Sequence, residues 1–142
     1  MIVFDLDGTL NIVGDRLKHI QQPIKDWDAF YAASLNDKIN LPIALIYNAL
    51  RFKNKEIFIL TGRNEKYRAI TLLWLNNNDF DVRDRRLIMR PDRDYRHDTI
   101  VKPMLATPFL KDIEMVFEDR KSMADKWREL GVTCLHVAEG NF

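Results

Sequence analysis

A chain of 142 residues, 46% hydrophobic and 30% charged, is long enough to bury one core and too short for two ordinary domains. Those fractions exclude a disordered chain. A formal net charge of +1 excludes a whole-molecule field strong enough for tight non-specific nucleic-acid binding.

The chain opens on Met1-Ile2-Val3-Phe4, an apolar run that suits a strand buried on both faces. It leads into Asp5-Leu6-Asp7-Gly8-Thr9-Leu10. Residues 11–26 read as irregular and polar. Residues 27–33 read as a short helix with Trp27, Phe30 and Tyr31 on one face. Those rings suit either the core, their commoner place, or a roof that stacks on a base. Asn40 and Pro42 mark the start of a second helix, which runs through residues 43–50 and ends near Lys53-Asn54. Residues 56–60 form a second buried strand that stops at Thr61-Gly62-Arg63-Asn64. Tyr67, Ile70, Leu73 and Trp74 recur at helical spacing across residues 65–77. Leu87-Ile88-Met89 is a short third strand beside an arginine-rich stretch. Asp98 caps a helix carrying Lys102, Leu105 and Phe109, unless Pro103 marks that helix's start. Residues 114–117 form a fourth strand that ends at Glu118-Asp119-Arg120. Residues 122–130 are helical, closed by Gly131, and residues 133–137 form a fifth strand. This alternation predicts an α/β fold, a three-layer sandwich around a parallel Rossmann-like sheet of about five strands with right-handed crossovers.

Three of these strands end in reactive residues: Asp5 and Asp7, Thr61-Gly62-Arg63, and Glu118-Asp119. In a parallel sheet these ends share one edge, where open α/β sheets take their ligands. Lys102 adds a cation from a helix start. Carboxylates gathered there would repel, each close pair by roughly 4 kcal/mol at an intermediate dielectric. A hard divalent cation such as Mg²⁺ removes that objection and shares its shell readily with phosphate. A hydroxyl, a turn with free N–H groups and a lysine suit the phosphate's other side. Together they describe a phosphoryl-transfer site. Taken alone, Asp5-Leu6-Asp7-Gly8 also fits a solvated Asp-Gly turn.

In order and context, Asp5-Leu6-Asp7-Gly8-Thr9-Leu10, Thr61-Gly62-Arg63, Lys102 and Glu118-Asp119 resemble the four motifs of haloacid dehalogenase-like (HAD) phosphatases. The similarity spans the whole chain. It is closest to the 3′-phosphatase domains of bacteriophage-type polynucleotide kinases. Leu60-Thr61-Gly62-Arg63, Asp98-Thr99-Ile100-Val101-Lys102, Glu118-Asp119-Arg120, Gly131-Val132-Thr133-Cys134 and the tail Val137-Ala138-Glu139-Gly140-Asn141-Phe142 carry that closer likeness. The kinase half is not matched, since no GxxxxGK[ST] loop occurs. The resemblance implies Asp5 as nucleophile and Asp7 as acid and base with a raised pKa. It implies Mg²⁺ held by Asp5, the Asp7 main-chain carbonyl, Asp119 and Glu118, the last directly or through water. Glu118 departs from the more usual aspartate. Thr61, Gly62 and Lys102 would hold the phosphoryl oxygens. Asp125 either orients Lys102 or pairs along its own helix. Arg63, Arg93 and Arg96 either contact substrate or pair with neighbouring acids.

The expectation is a single cytoplasmic phosphatase domain, residues 1–142, with a minimal cap or none and no membrane partner. No stretch approaches the roughly 20 apolar residues of a membrane span, and a lone cysteine, Cys134, fits a reducing compartment. Its substrate is read as a phosphorylated nucleotide or nucleic-acid 3′ end, with room for a separate kinase or ligase as a partner. A 5′-nucleotidase is the rival enzyme. A non-catalytic binding module on the same fold is the rival from another class.

Overall fold

The computed structural model describes residues 1–140 and 142; Asn141, within the matched tail, lies outside the described residues. Five parallel strands form one sheet in the order β5-β4-β1-β6-β7. They are β1 (Ile2–Phe4), β4 (Ile57–Asn64), β5 (Leu87–Arg90), β6 (Met115–Glu118) and β7 (Cys134–His136). Two short strands, β2 (Asn11–Ile12) and β3 (Lys38–Ile39), pair antiparallel apart from that sheet. The helices are α1 (Trp27–Ala32), α2 (Leu41–Phe52), α3 (Arg68–Asn77), α4 (Asp98–Ala106) and α5 (Lys121–Glu129).

Period-two alternation along the strands builds a core on each face of the sheet. Ile2, Phe4, Ile57, Ile59 and Phe117 face Ile43 and Tyr47 of α2 and Trp74 and Leu75 of α3. Val3, Leu60 and Val116 face Ala106 of α4 and Met123, Ala124 and Trp127 of α5. Strand β1 lies between β4 and β6 and is buried on both sides. The expected three-layer α/β sandwich is therefore the observed one.

Four local features depart from the sequence reading, each for a physical reason. Strand β4 does not stop at Leu60. It runs through Thr61, Gly62 and Arg63 to Asn64, and a register shift between Thr61 and Asn64 lets it keep pairing with β5. Helix α4 begins at Asp98 with His97 as its N-cap, whose ring accepts from the Thr99 amide, so Pro103 lies inside it. Phe109 falls beyond that helix, in a 3-10 turn. Residues 11–26 carry β2 and a 3-10 turn over Asp15–His19 whose Arg16 is buried. The segment between β1 and α2 thus forms a small flap rather than a separate cap domain, as expected. Asn40 does hold the N-cap position of α2, but its amide donates to Thr9 O at 2.9 Å instead of capping, tying that flap to the loop after β1.

Phe4 lies in β1, stacked on Phe117 at 4.3 Å and meeting Tyr47 edge-on. Phe4→Ala should lower the unfolding free energy by about 3–5 kcal/mol, read as a shift of the urea midpoint. A loss below about 1 kcal/mol would mean that the core refills the cavity.

Candidate functional site

The three carboxylates nearest the ends of β1 and β6 converge. Asp5, Glu118 and Asp119 are all buried, and one oxygen from each lies within 4.8 Å of the others. Parallel pairing of β1 with β6 brings them together, since Phe4 is in register with Phe117 and the Asp5 amide donates to Phe117 O at 2.9 Å. Lys102, buried on α4, donates to Asp5 Oδ1 at 2.7 Å and to Glu118 Oε2 at 2.8 Å. One ammonium thus faces three carboxylates, and the electrostatics reflect it. Burial, with Glu118 close by, raises Asp5 well above the usual carboxylate range despite Lys102. Burial and Glu118 raise Asp119 to about 6. Lys102 is driven up: burial alone would depress it, but Asp5 and Glu118 outweigh that cost.

Asp119 is the open member of the group. Its Oδ2 is buried and has no hydrogen-bond partner among the described residues, while Oδ1 lies 3.5 Å from Thr9 Oγ1. Its main-chain oxygen is held by the Gly140 amide at 3.0 Å and approached by His136 Nε2 at 2.7 Å. Two glycines lie over the carboxylate: a Cβ on Gly8 or on Gly140 would collide with Oδ2. Gly8 also has φ +87°, so glycine is required there twice over. A buried, unpaired carboxylate oxygen beside a second carboxylate fits a hard cation. Glu118 is less free, because Oε2 accepts from Lys102 and Oε1 from the Arg120 amide at 3.3 Å.

Asp7 stands apart from this group. Arg63 grips it with two bonds, Nε to Oδ2 at 2.8 Å and Nη2 to Oδ1 at 2.6 Å. Arg16 Nη2 also pairs with Oδ1, and Asn11 Nδ2 donates to it at 3.1 Å. Burial alone would raise the Asp7 pKa, but the Arg63 charge and hydrogen bonds and the Arg16 charge hold it far below the usual carboxylate range. The raised value expected from the sequence is therefore reversed, and two arginines are the cause.

Arg63 itself is 0% exposed; its Nη1 reaches Ser34 Oγ at 3.2 Å and Thr71 Oγ1 at 3.1 Å. Thr61 is buried on β4 and accepts from the Arg63 amide at 3.3 Å. Gly62 lies against Asp98, where a Cβ would come within 2.7 Å of Oδ1. That buried Asp98 pairs with Arg90 and, at 3.0 Å, with Arg120 Nη1. Arg90 also donates to the carbonyls of Gly62, Asp94 and Arg96, so it braces the strand end and the loop after β5. On that loop Arg93 is exposed with φ +63°, and Arg96 is held by Asp94 through two bonds of 3.0 and 2.6 Å. Asp125 pairs with Lys121 and Arg128 on its own helix, the second of its two readings.

Sequence reasoning passed over Arg16, Asn11 and Asp98 as site residues. Arg16, 3% exposed, joins Asp7 to Asp37, and its Nη1 has no partner among the described residues. Nothing in its polar surroundings signals this. Asp98 had a signal, since it stands four residues before Lys102 in the matched Asp98-Thr99-Ile100-Val101-Lys102 stretch, but a capping role absorbed it.

A family model described as the polynucleotide kinase PNKP phosphatase domain matches residues 1–142. A chain in a structure of the Pnkp1/Rnl/Hen1 RNA repair complex is 29% identical with a TM-score of 0.83, over 99% of this chain and 43% of that one. A chain in a second Pnkp1/Rnl/Hen1 complex structure is 30% identical with a TM-score of 0.81, over 99% and 46%. This chain therefore spans less than half of those chains. A HAD hydrolase of family IA, variant 3, from Entamoeba histolytica HM-1:IMSS shares the fold at a TM-score of 0.66 and 14% identity, over 99% and 85%.

The raised Asp119 pKa has a definite sign in stability. With a folded value of about 6 above the unfolded value of about 3.9, the folded state binds the proton more tightly between them. In chelator, the melting temperature should therefore rise as pH falls from about 7 to about 5, and Asp119→Asn should flatten that slope. A wild-type melting temperature that falls over this range would contradict the carboxylate arrangement.

Proposed function

The chain belongs to the polynucleotide kinase phosphatase-domain family, and on that footing we propose that it is a Mg²⁺-dependent phosphomonoesterase acting on nucleic-acid 3′ ends or 3′-phosphorylated nucleotides. The observation that carries this reading is the Asp5–Lys102 pair at 2.7 Å beside the unpartnered oxygen of Asp119. A carboxylate, its ammonium partner and a second carboxylate with an oxygen left over for a cation meet there at one sheet edge, which suits a nucleophile beside a metal.

Asp5 supplies the nucleophile. One carboxylate oxygen bonds to phosphorus as the ester oxygen departs, giving an aspartyl-phosphate, and water then cleaves the new P–O bond to release phosphate. Lys102 holds Asp5 Oδ1, which leaves Oδ2 as the oxygen nearer the Thr9 hydroxyl, at 3.4 Å. Lys102 also offsets negative charge gathering at the phosphoryl group, and Glu118 fixes its position. Thr61 and the Gly62 amide would receive phosphoryl oxygens near the end of β4, with Asp98 and Arg90 bracing that strand end. Asp5, Asp119 and the Asp7 carbonyl would hold Mg²⁺, with Glu118 joining through water. When bound, the ion neutralises the clustered carboxylates and polarises the phosphoryl group.

Asp7 handles the proton. As it stands, ionised between Arg63 and Arg16, it has the protonation state of the base that takes a proton from water in the second step. To act as the acid in the first step it must gain a proton. Exchange of arginine contacts onto the incoming phosphoryl oxygens would raise its pKa for that purpose. This gives Arg63 a part in substrate binding through its grip on Asp7. Arg93 and Arg96, on the exposed loop after β5, would meet the polynucleotide backbone. The two complexes containing Pnkp1, Rnl and Hen1 are named for RNA repair or for those partners. They support the companion reading in which a separate kinase or ligase works beside this phosphatase.

Asp5→Asn should reduce turnover of a 3′-phosphorylated oligonucleotide by at least about a thousandfold while leaving the thermal melt cooperative. Chelation should silence the wild type, and Mg²⁺ should restore it. In a panel of 3′-phosphorylated oligonucleotide, 3′-mononucleotide and 5′-mononucleotide, kcat/KM should be highest on a 3′-phosphate. Preference for the 5′-mononucleotide would select the 5′-nucleotidase instead, and no turnover of any ester would select the binding module.

A further inference from the structure

Helix α1 separates its aromatic residues by role. Phe30 is buried and lies under the Arg16 guanidinium, with Cζ 4.1 Å from its ring centre. Tyr31 lies beside Arg63, whose Cζ is 5.6 Å from its ring centre, and packs on Tyr67 at 4.4 Å. Both rings therefore pack on the arginines that hold Asp7. Trp27 completes the layer, near-parallel to Tyr31 at 6.1 Å and perpendicular to Phe30 at 5.7 Å. Unlike them it is turned outward, 44% exposed, whereas Trp74 and Trp127 are 0% exposed. An open indole, in a chain whose other two tryptophans are fully buried, is out of keeping with a core role.

The surroundings of Trp27 suit a nucleotide. By either route, Phe30–Arg16 or Tyr31–Arg63, it stands two side chains away from Asp7. Lys25 Nζ lies 5.6 Å from its ring. The neighbouring Asp28 binds Lys66 Nζ at 2.9 Å, and the Lys66 amide donates to Asp92 at 3.0 Å. That chain of contacts joins the Trp27 edge to the loop bearing Arg93. The rim thus offers an aromatic face and cations within two side chains of Asp7, which is the arrangement that binds single strands by stacking and backbone charge.

We infer that Trp27 is the nucleobase platform of this site, stacking on the base of the terminal nucleotide whose 3′-phosphate is removed. The inference rests on the phosphatase reading above and names the part of the substrate that the metal and carboxylates do not touch. A base on Trp27 makes recognition tolerant of sequence, because every base offers a π-face. It also makes the site depend on a base being present.

Three matched measurements test this. The first compares kcat/KM on an oligonucleotide ending in an ordinary 3′-phosphorylated nucleotide with the same strand ending in an abasic 3′-phosphate. That ratio should fall about tenfold in Trp27→Ala, and Trp27→Phe should restore most of it. In the second, Asp5→Asn protein is titrated with each strand. Because the other two tryptophans are fully buried, quenching of exposed indole fluorescence reports Trp27. It should be marked with the base-bearing strand, weak with the abasic one and missing in the Asp5→Asn, Trp27→Phe double variant. In the third, acrylamide quenching should diminish when the base-bearing strand is bound. An unchanged ratio in Trp27→Ala, or equal quenching by both strands, overturns the platform. If no ester is hydrolysed yet the base-bearing strand quenches selectively, the phosphatase reading fails and the platform stands.

Discussion

The site depends on a charge imbalance built into the sheet. Parallel pairing of β1 with β6 brings Asp5, Glu118 and Asp119 into the buried end of two strands, and a single buried cation, Lys102, faces them. Buried charges are tolerated only when paired or metal-bound. Lys102 satisfies Asp5 and Glu118, and among the described residues the remaining oxygen of Asp119 has no partner. Such a site is poorly settled without a cation and well settled with one. The glycines at positions 8 and 140 follow from the same constraint, because any side chain there would fill the space over Asp119.

A second electrostatic unit sits beside the first with the opposite balance. Asp7 is a single carboxylate held by Arg63 and Arg16, and the rings of Tyr31 and Phe30 pack on those guanidinium groups. Two aspartates two residues apart thus occupy environments that drive their pKa values in opposite directions, Asp5 upward and Asp7 downward. Pairs separated in this way mark a division of roles between acid–base and nucleophilic chemistry. Asp7 is the one tied to the flap between β1 and α2, through Arg16 and Asn11.

The fold was legible because its strands are short apolar runs that end in polar clusters, and strand–helix alternation admits few topologies. The convergence of Asp5 with Glu118 and Asp119 was legible for the same reason: parallel pairing of β1 with β6 places those two strand ends together. What stayed hidden depended on side-chain partners. The lowered Asp7 pKa was hidden because it depends first on Arg63 turning back onto Asp7, which the motif does not reveal, and then on Arg16, which lies in an irregular segment with no pattern to mark it. The role of Arg90 was blurred by the arginines around it, although its buried bonds to Asp98 and Gly62 set it apart. The extension of β4 through Gly62 was unreadable because a register shift, which has no sequence signature here, keeps it paired with β5.

The most direct measurement of the central claim is reductive trapping of the covalent intermediate. Borohydride added during turnover of a 3′-phosphorylated oligonucleotide reduces an acyl phosphate to an alcohol, so an aspartyl-phosphate at Asp5 should be recovered as homoserine. Mass spectrometry of the N-terminal peptide should place that change at Asp5, with Asp7 unmodified, only when Mg²⁺ and substrate are both present. Release of phosphate with Asp5 intact throughout, or modification at Asp7 instead, would contradict the assignment of the nucleophile.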